Sequence, residues 1–387
     1  MDMKVYVVNE GDTLQSIAEK FRVSVERLAF DNEIQRQELV VGQALLILEP
    51  EQIYTIEEGD TLAGIAEQFG QKVIHLVRSN PYLLNETFLL PGRQIVIAYK
   101  DTENREMDVS GYAYSFIKEA VLEETLLYID ELLPFSYGYN EDGSLIAMND
   151  DRLLSEANRF GRRKRMVITP LDRNERFNNQ LVICLLESSA VQDILLANIL
   201  NIMGEKGYRA LDIDFEFIPA PYREAYVAFI QKTTKMLHDS GFEVSVAVPP
   251  KIADDQPGLL YEGIDYEGIG RAATVFLMTY EWGYKYGPPM AVAPVPNVRR
   301  VLDYAVSVIP NDKIYMGIPN YAYDWPLPFE RNVTEAETIG NVEAVRRAYQ
   351  YRTEILYDET AMAPYYYYTK EGIQHVVWFE DVRSIRE

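Results

Sequence analysis

The chain has 387 residues, 48% of them apolar, which excludes a disordered protein and allows two or three domains with a large core. Acidic residues outnumber basic ones by 60 to 37, for a formal charge of −23, so a nucleic-acid backbone is repelled and a neutral or zwitterionic partner is expected. One cysteine excludes an intrachain disulfide, and His75, His238 and His375 have neither zinc-ligand spacing nor the company of a serine triad.

Catalysis is therefore expected to rest on carboxylates. The opening Met1-Asp2-Met3-Lys4-Val5-Tyr6 enters a strand pattern at once, without the charged, apolar and small-residue segments of a signal peptide. Nothing later approaches the ~20 apolar residues that span a bilayer, so no membrane partner is expected.

The first hundred residues contain a repeat. Tyr6-Val7-Val8, Gly11-Asp12-Thr13-Leu14, Ile17-Ala18-Glu19 and Phe21 recur as Tyr54-Thr55-Ile56, Gly59-Asp60-Thr61-Leu62, Ile65-Ala66-Glu67 and Phe69 at a constant offset of 48. The offset grows to 50 at Gly42 and Gly92, so the second copy has two more residues in its last loop. Each copy reads as strand, turn, helix, helix, strand, with Thr13 and Thr61 at helix N-caps. Two copies are too few for a solenoid, which leaves two small domains, 1–49 and 50–99.

These strings resemble the lysin motif, or LysM module, which binds glycans containing N-acetylglucosamine. The resemblance implies a shallow groove between the Gly-Asp-Thr turn and the loop before the final strand, with Asp12, Thr13, Asn32, Asp60, Thr61 and Asn80 as glycan-binding residues. The same residues also serve as caps and turn formers.

The polar stretch 100–107 reads as a linker. From 108 onward, short β-rich runs alternate with helical ones, the pattern of a parallel α/β sheet. Candidate strands are 109–114, 133–137, 165–169, 209–215, 243–248, 273–280 and 313–318; candidate helices include 151–160, 191–203, 222–238 and 298–309. The span 108–387 suits a TIM-type (β/α)8 barrel with an α+β insertion at the tyrosine-rich run 341–375, after the seventh strand. Only Glu380–Glu387 follow Phe379, so an eighth strand is expected to be lacking by truncation. Cys184, inside Leu181-Val182-Ile183-Cys184-Leu185-Leu186, reads as a buried small hydrophobe.

The segment Leu211-Asp212-Ile213-Asp214-Phe215-Glu216-Phe217 alternates, so a strand puts four apolar side chains on one face and three carboxylates on the other. Successive same-face residues stand ~6.6 Å apart, and like charges with partial burial raise at least one pKa. A neutral glutamic acid at pH 7 is what a general acid requires. A solvated strand face and a three-carboxylate metal site are the competing readings.

The strand resembles the D-G-x-D-x-D-x-E signature of glycoside hydrolase family 18, the chitinase-like family, with Arg209 and Ala210 in place of its first Asp and Gly. The resemblance makes Glu216 the proton donor, Asp214 its assistant and Asp212 a support. Met278-Thr279-Tyr280-Glu281-Trp282 is similar to the family's M-x-Y-D, with Glu281 replacing Asp, which implies that Tyr280 holds the substrate's acetamido group beside Glu281 and Trp282. Gly317-Ile318-Pro319-Asn320-Tyr321 resembles the seventh strand, placing Asn320 and Tyr321 at the mouth, and Tyr112 and Tyr114 line it from the first strand. The family implies substrate-assisted retaining hydrolysis without metal or cofactor. Paired LysM modules with Gly207-Tyr208-Arg209-Ala210-Leu211-Asp212 most resemble the spore cortex-fragment lytic N-acetylglucosaminidases, which implies peptidoglycan as partner and a spore or wall location. In that group a tryptophan on the eighth strand floors the site; Trp282, Trp325 and Trp378 fall elsewhere. A glycan-binding lectin without turnover and a carboxylate-bound metal hydrolase are the alternatives.

Overall fold

The computed structural model describes residues 4–35, 38–86, 88–100, 107–174 and 176–387. They divide into two compact units, one drawn from 1–105, 280–297 and 318–387, the other from 106–279 and 298–317. The expected barrel segment is thus shared between the units, while the expected linker falls largely outside the described residues.

In the first unit each repeat folds as strand, helix, helix, strand. Lys4–Val7 pairs antiparallel with Ala44–Ile47 around helices Leu14–Phe21 and Val25–Asp31, and Pro50–Thr55 with Gln94–Tyr99 around Leu62–Gln68 and Val73–Ser79. The second repeat adds a 3-10 turn at Pro81–Asn85, within its longer last loop. Turn chemistry explains both copies. Asp12 accepts from the Tyr6 hydroxyl (2.7 Å) and the Asn9 amide (2.8 Å), and Asp60 from Tyr54 (2.9 Å) and Glu57 (2.7 Å). Thr13 and Thr61 cap their helices by accepting from Ser16 and Gly64, each at 3.0 Å. Each repeat encloses its own apolar core, Leu14, Ile17, Leu28 and Leu45 in one, Ile65, Leu76, Leu83 and Ile95 in the other.

The rest of this unit is a five-stranded antiparallel sheet in the order Glu337–Ile339, Ala322–Leu327, Ile373–Trp378, Ala363–Lys370, Leu356–Asp358. The period of two sorts its tyrosines: Tyr366 and Tyr368 are buried with Ala344 and Ala348 of helix Asn341–Gln350, while Tyr365 packs on the other face against Trp378. The α+β element expected at 341–375 is therefore longer, running from Ala322 to Trp378.

The second unit holds one parallel sheet of seven strands: β1 (Ser110–Tyr114), β2 (Glu131–Phe135), β3 (Arg163–Ile168), β4 (Ala210–Ile213), β5 (Glu243–Val248), β6 (Thr274–Leu277) and β7 (Ile314–Met316). They lie side by side in chain order. Helices between them include Glu119–Leu126, Asp151–Arg159, Ser189–Lys206, Arg223–Asp239 and Tyr266–Ala272. Strands covered on both faces read as continuous apolar runs, and β4 at the middle of the sheet is wholly buried. Leu133, Val167, Ala247 and Phe276 pack together across one face.

Two expectations need correction. The strand expected over 209–215 ends at Ile213; the Asp214 amide still bonds to Ile168, at 3.0 Å, but Phe217 adopts a left-handed backbone (φ +55°) where the chain turns into its loop. Phe215 therefore stays buried with Leu211 and Ile213, whereas Phe217 is exposed. Cys184 is half-buried on helix Asn179–Glu187, where Gln180 reaches its Sγ at 3.7 Å, rather than sealed in the core.

Candidate active site

Strand β4 delivers Asp212 inside the sheet, and Asp214 and Glu216 beyond its carboxyl end, where parallel α/β folds gather their chemistry. Asp212 is fully buried and accepts from the Tyr112 hydroxyl of β1 (2.7 Å) and from Ser245 Oγ of β5 (2.6 Å). Ser245 is also reached by Arg165 of β3 at 3.1 Å, and Arg165 pairs with Glu131 of β2 at 2.8 Å. Both members of that ion pair are buried. A chain of polar contacts thus crosses the floor of the sheet, Glu131 to Arg165 to Ser245 to Asp212 to Tyr112. Burial raises the Asp212 pKa; the bonds from Ser245 and Tyr112 and the charge of Arg165 oppose that rise.

Asp214 lacks such support. Its Oδ1 is buried with no hydrogen-bond partner among the described residues. Its pKa stands well above the ordinary carboxylate value, first because of burial, then because of the charges of Glu216 and Asp212. Glu216 is half-buried at the loop end of the same segment. The charge of Glu216 thus acts directly on Asp214. On the opposite face of this segment Phe215 stacks on Phe229 (6.2 Å, 6°) and Tyr226 (6.3 Å, 26°) of helix Arg223–Asp239.

On β1, Tyr112 is half-exposed although its hydroxyl is held by Asp212, and its ring meets Phe135 and Phe276 edge-on at 6.1 and 6.3 Å. Tyr114 is exposed and stacks at 5.0 Å and 11° on Phe116, which is 80% exposed. The two stacked, water-facing rings present an aromatic surface suited to the CH face of a sugar.

In the first unit, Glu281 takes a left-handed backbone (φ +67°) and its carboxylate accepts from the hydroxyls of Tyr323 (2.9 Å) and Tyr321. Burial and that carboxylate push both tyrosine pKa values up. Tyr280 meets Tyr321 edge-on at 6.4 Å, Trp282 is half-buried with its amide on Val292, and Asn320 is exposed. The Glu281 carboxylate is thus already bound by two phenols of its own chain.

The repeat residues divide. Asp12, Thr13, Asp60 and Thr61 lie at the turns, whereas Asn32 and Asn80 clamp the closing strand. Asn32 donates to Leu28 and Leu46 and accepts from the Leu46 amide; Asn80 does the same with Leu76 and Val96. Asn80 is shut off from solvent, which corrects the expectation that it touches glycan. Glu131, Arg165, Ser245, Phe116 and Tyr226 escaped the sequence reading. Charged residues inside the apolar runs Glu131-Leu132-Leu133 and Arg165-Met166-Val167 were the available signal.

The profile described as "Glycosyl hydrolases family 18" matches residues 184–387, and the LysM domain profile matches 6–47 and 54–98. The cortical fragment-lytic enzyme of Bacillus subtilis (strain 168) is 37% identical over 390 residues, covering 99% of this chain and 90% of that protein. The Bacillus anthracis protein of the same name is 33% identical over 99% of this chain and 90% of its own length. The crystal structure of the Bacillus megaterium QM B1551 spore cortex-lytic enzyme SleL superposes with a TM-score of 0.82 at 36% identity, over 99% of this chain and 90% of that one. A Chromobacterium violaceum chitinase aligns over 72% of this chain and 88% of its own at a TM-score of 0.66 and 23% identity, a likeness of barrel fold. With paired LysM domains ahead of a chitinase-like TIM-barrel fold, the chain belongs to family 18 of the glycosyl hydrolases and is a glycoside hydrolase.

Proposed function

We propose that this enzyme hydrolyses N-acetylglucosaminyl linkages in peptidoglycan, in particular in spore cortex fragments, and that it works in association with the wall or cortex. The names of its relatives support the substrate class, and the LysM pair supports glycan binding. The observation that carries the reading is Asp214, a buried acid beside Glu216 whose Oδ1 has no partner among the described residues. A buried polar group left unsatisfied costs about 1–3 kcal/mol, a cost retained where a transient partner is part of the task.

In this reading Glu216 gives its proton to the glycosidic oxygen as the C1–O bond breaks, while the oxygen of the sugar's own 2-acetamido group attacks C1. The product is a bicyclic oxazolinium, and no protein nucleophile is needed. Asp214 accepts from the acetamido N–H and offsets the positive charge; Asp212, fixed by Tyr112 and Ser245, keeps Asp214 in register. Water then attacks C1 and loses its proton to the Glu216 carboxylate, which restores the acid with retention at C1. The contacts proposed for Tyr280, Trp282, Asn320 and Tyr321 with substrate rest on the family resemblance. The five-stranded sheet is read as the insertion that follows the seventh barrel strand.

Reducing-sugar release from cortex fragments tests the reading. Glu216→Gln should lower turnover by about 10²–10⁴-fold while leaving sedimentation with insoluble peptidoglycan intact. Equal release by both proteins would end the proposal.

A further inference from the structure

The two repeats share their turn chemistry but not the surroundings of their last loop. In both, the glycine before the closing strand bonds back to the strand that enters the Gly-Asp-Thr turn, Gly42 to Val8 and Gly92 to Ile56, each at 2.8 Å. Loop and turn are therefore neighbours, and together they would form the groove. In the first repeat this loop is buried in the tyrosine-rich sheet. Val40 joins the apolar cluster of Ile355, Tyr366, Ala344 and Phe379. The Ile355 amide donates to the Val41 carbonyl at 2.9 Å, and Arg383, stacked over Tyr357 at 4.3 Å, donates to the Gly42 carbonyl at 3.3 Å. A Cβ on Gly42 would lie 1.8 Å from the Ile355 carbonyl oxygen. Glu38 is half-buried and acts electrostatically on Arg346.

The second repeat is open at the same place. Gly92 has the same backbone (φ +87° against +84°), yet none of the described residues lies within 4 Å of its would-be Cβ. Phe88 and Leu90, which stand where the first repeat has Glu38 and Val40, are 79% and 59% exposed. Nearby, Arg93 is paired with Glu86 and lies over the Tyr82 ring at 4.2 Å, so its charge is already engaged. Exposed apolar side chains suit a ligand with CH faces.

We infer that the first repeat is a docking element whose groove loop is occupied by this chain's own sheet, and that glycan recruitment falls to the second repeat through Phe88 and Leu90. The inference rests on the reading that these repeats take N-acetylglucosamine polymers. Its test uses the full chain carrying Glu216→Gln, with N-acetylglucosamine hexamer as soluble probe and insoluble peptidoglycan for sedimentation. Phe88→Ala with Leu90→Ala should weaken sedimentation at least tenfold, with the thermal melt unchanged. Amide exchange should show hexamer-dependent protection over 56–62 and 88–93 and none over 8–14 and 38–43. Protection in the first repeat's turn and loop, or binding untouched by the double substitution, would overturn the assignment while leaving glycan-binding repeats in place. Sedimentation with protection in neither repeat would overturn the underlying reading as well.

Discussion

Gly42→Ala and Gly92→Ala form a matched pair that isolates the docking of the first repeat. Both glycines have left-handed φ values within a few degrees of each other, so each alanine carries the same backbone penalty, about 1–2 kcal/mol. The pair differs only in surroundings. At Gly42 the new methyl meets a backbone oxygen at 1.8 Å, and ordinary contact requires that carbonyl to retreat by more than about an ångström. It cannot retreat alone, because the Ile355 amide is bonded to Val41. Loss of that bond costs about 1 kcal/mol, and partial exposure of Val40 about 1–3 kcal/mol. At 1.4 kcal/mol per tenfold change, a sum of roughly 2–4 kcal/mol speeds exchange of the Ile355 amide about 30- to 700-fold. Hydrogen exchange read by mass spectrometry on a peptide spanning Ile355 measures this directly. Gly92→Ala should leave the same peptide unchanged. Undiminished protection of Ile355 in Gly42→Ala, or equal loss in both variants, would refute the wedge argument.

Further substitutions probe the acidic site. Asp214→Asn should lower turnover by about 10²–10³-fold yet raise the melting temperature. The raised pKa of Asp214 means the folded state binds an extra proton, so wild-type stability falls as pH climbs from the ordinary carboxylate value through the raised one. The variant's advantage in calorimetry should be small at pH 4 and larger at pH 8; a constant difference contradicts the assignment. Tyr112→Phe removes a 2.7 Å bond to the Asp212 carboxylate, a bond of about 1.5–3 kcal/mol. Because that bond lowers the Asp212 pKa, the acid limb of the pH–rate profile should move to higher pH. Arg165→Met strands the buried Glu131 carboxylate and should cost about 3–5 kcal/mol in denaturant titration. Adding Glu131→Gln should restore part of that loss, and no recovery would count against the pairing.

Local chemistry was readable from the chain. The Gly-Asp-Thr turns, the capping threonines and the 48-residue offset all act between near neighbours, and every helix named in advance formed within a few residues of its expected bounds. The central parallel strands were readable because burial on both faces demands apolar runs. The acids at the end of β4 were visible as an alternation, but the alternation overran the strand: period two says nothing about where Phe217 must turn. The floor network was out of reach, since Glu131, Arg165 and Ser245 become neighbours only through the strand order β2, β3, β4, β5. The asymmetry between the repeats was equally hidden. Val40 and Leu90 are both aliphatic, and only a partner surface more than 300 residues along the chain distinguishes them.

That asymmetry bears on any attempt to reuse the repeats as affinity handles. Grafted onto another protein, residues 50–99 would bring a self-contained core and a last loop with no covering sheet to lose. Residues 1–49 would arrive with Val40 stripped of its cover and a carbonyl at Val41 without its amide, and fusions built on them should be the ones that clump.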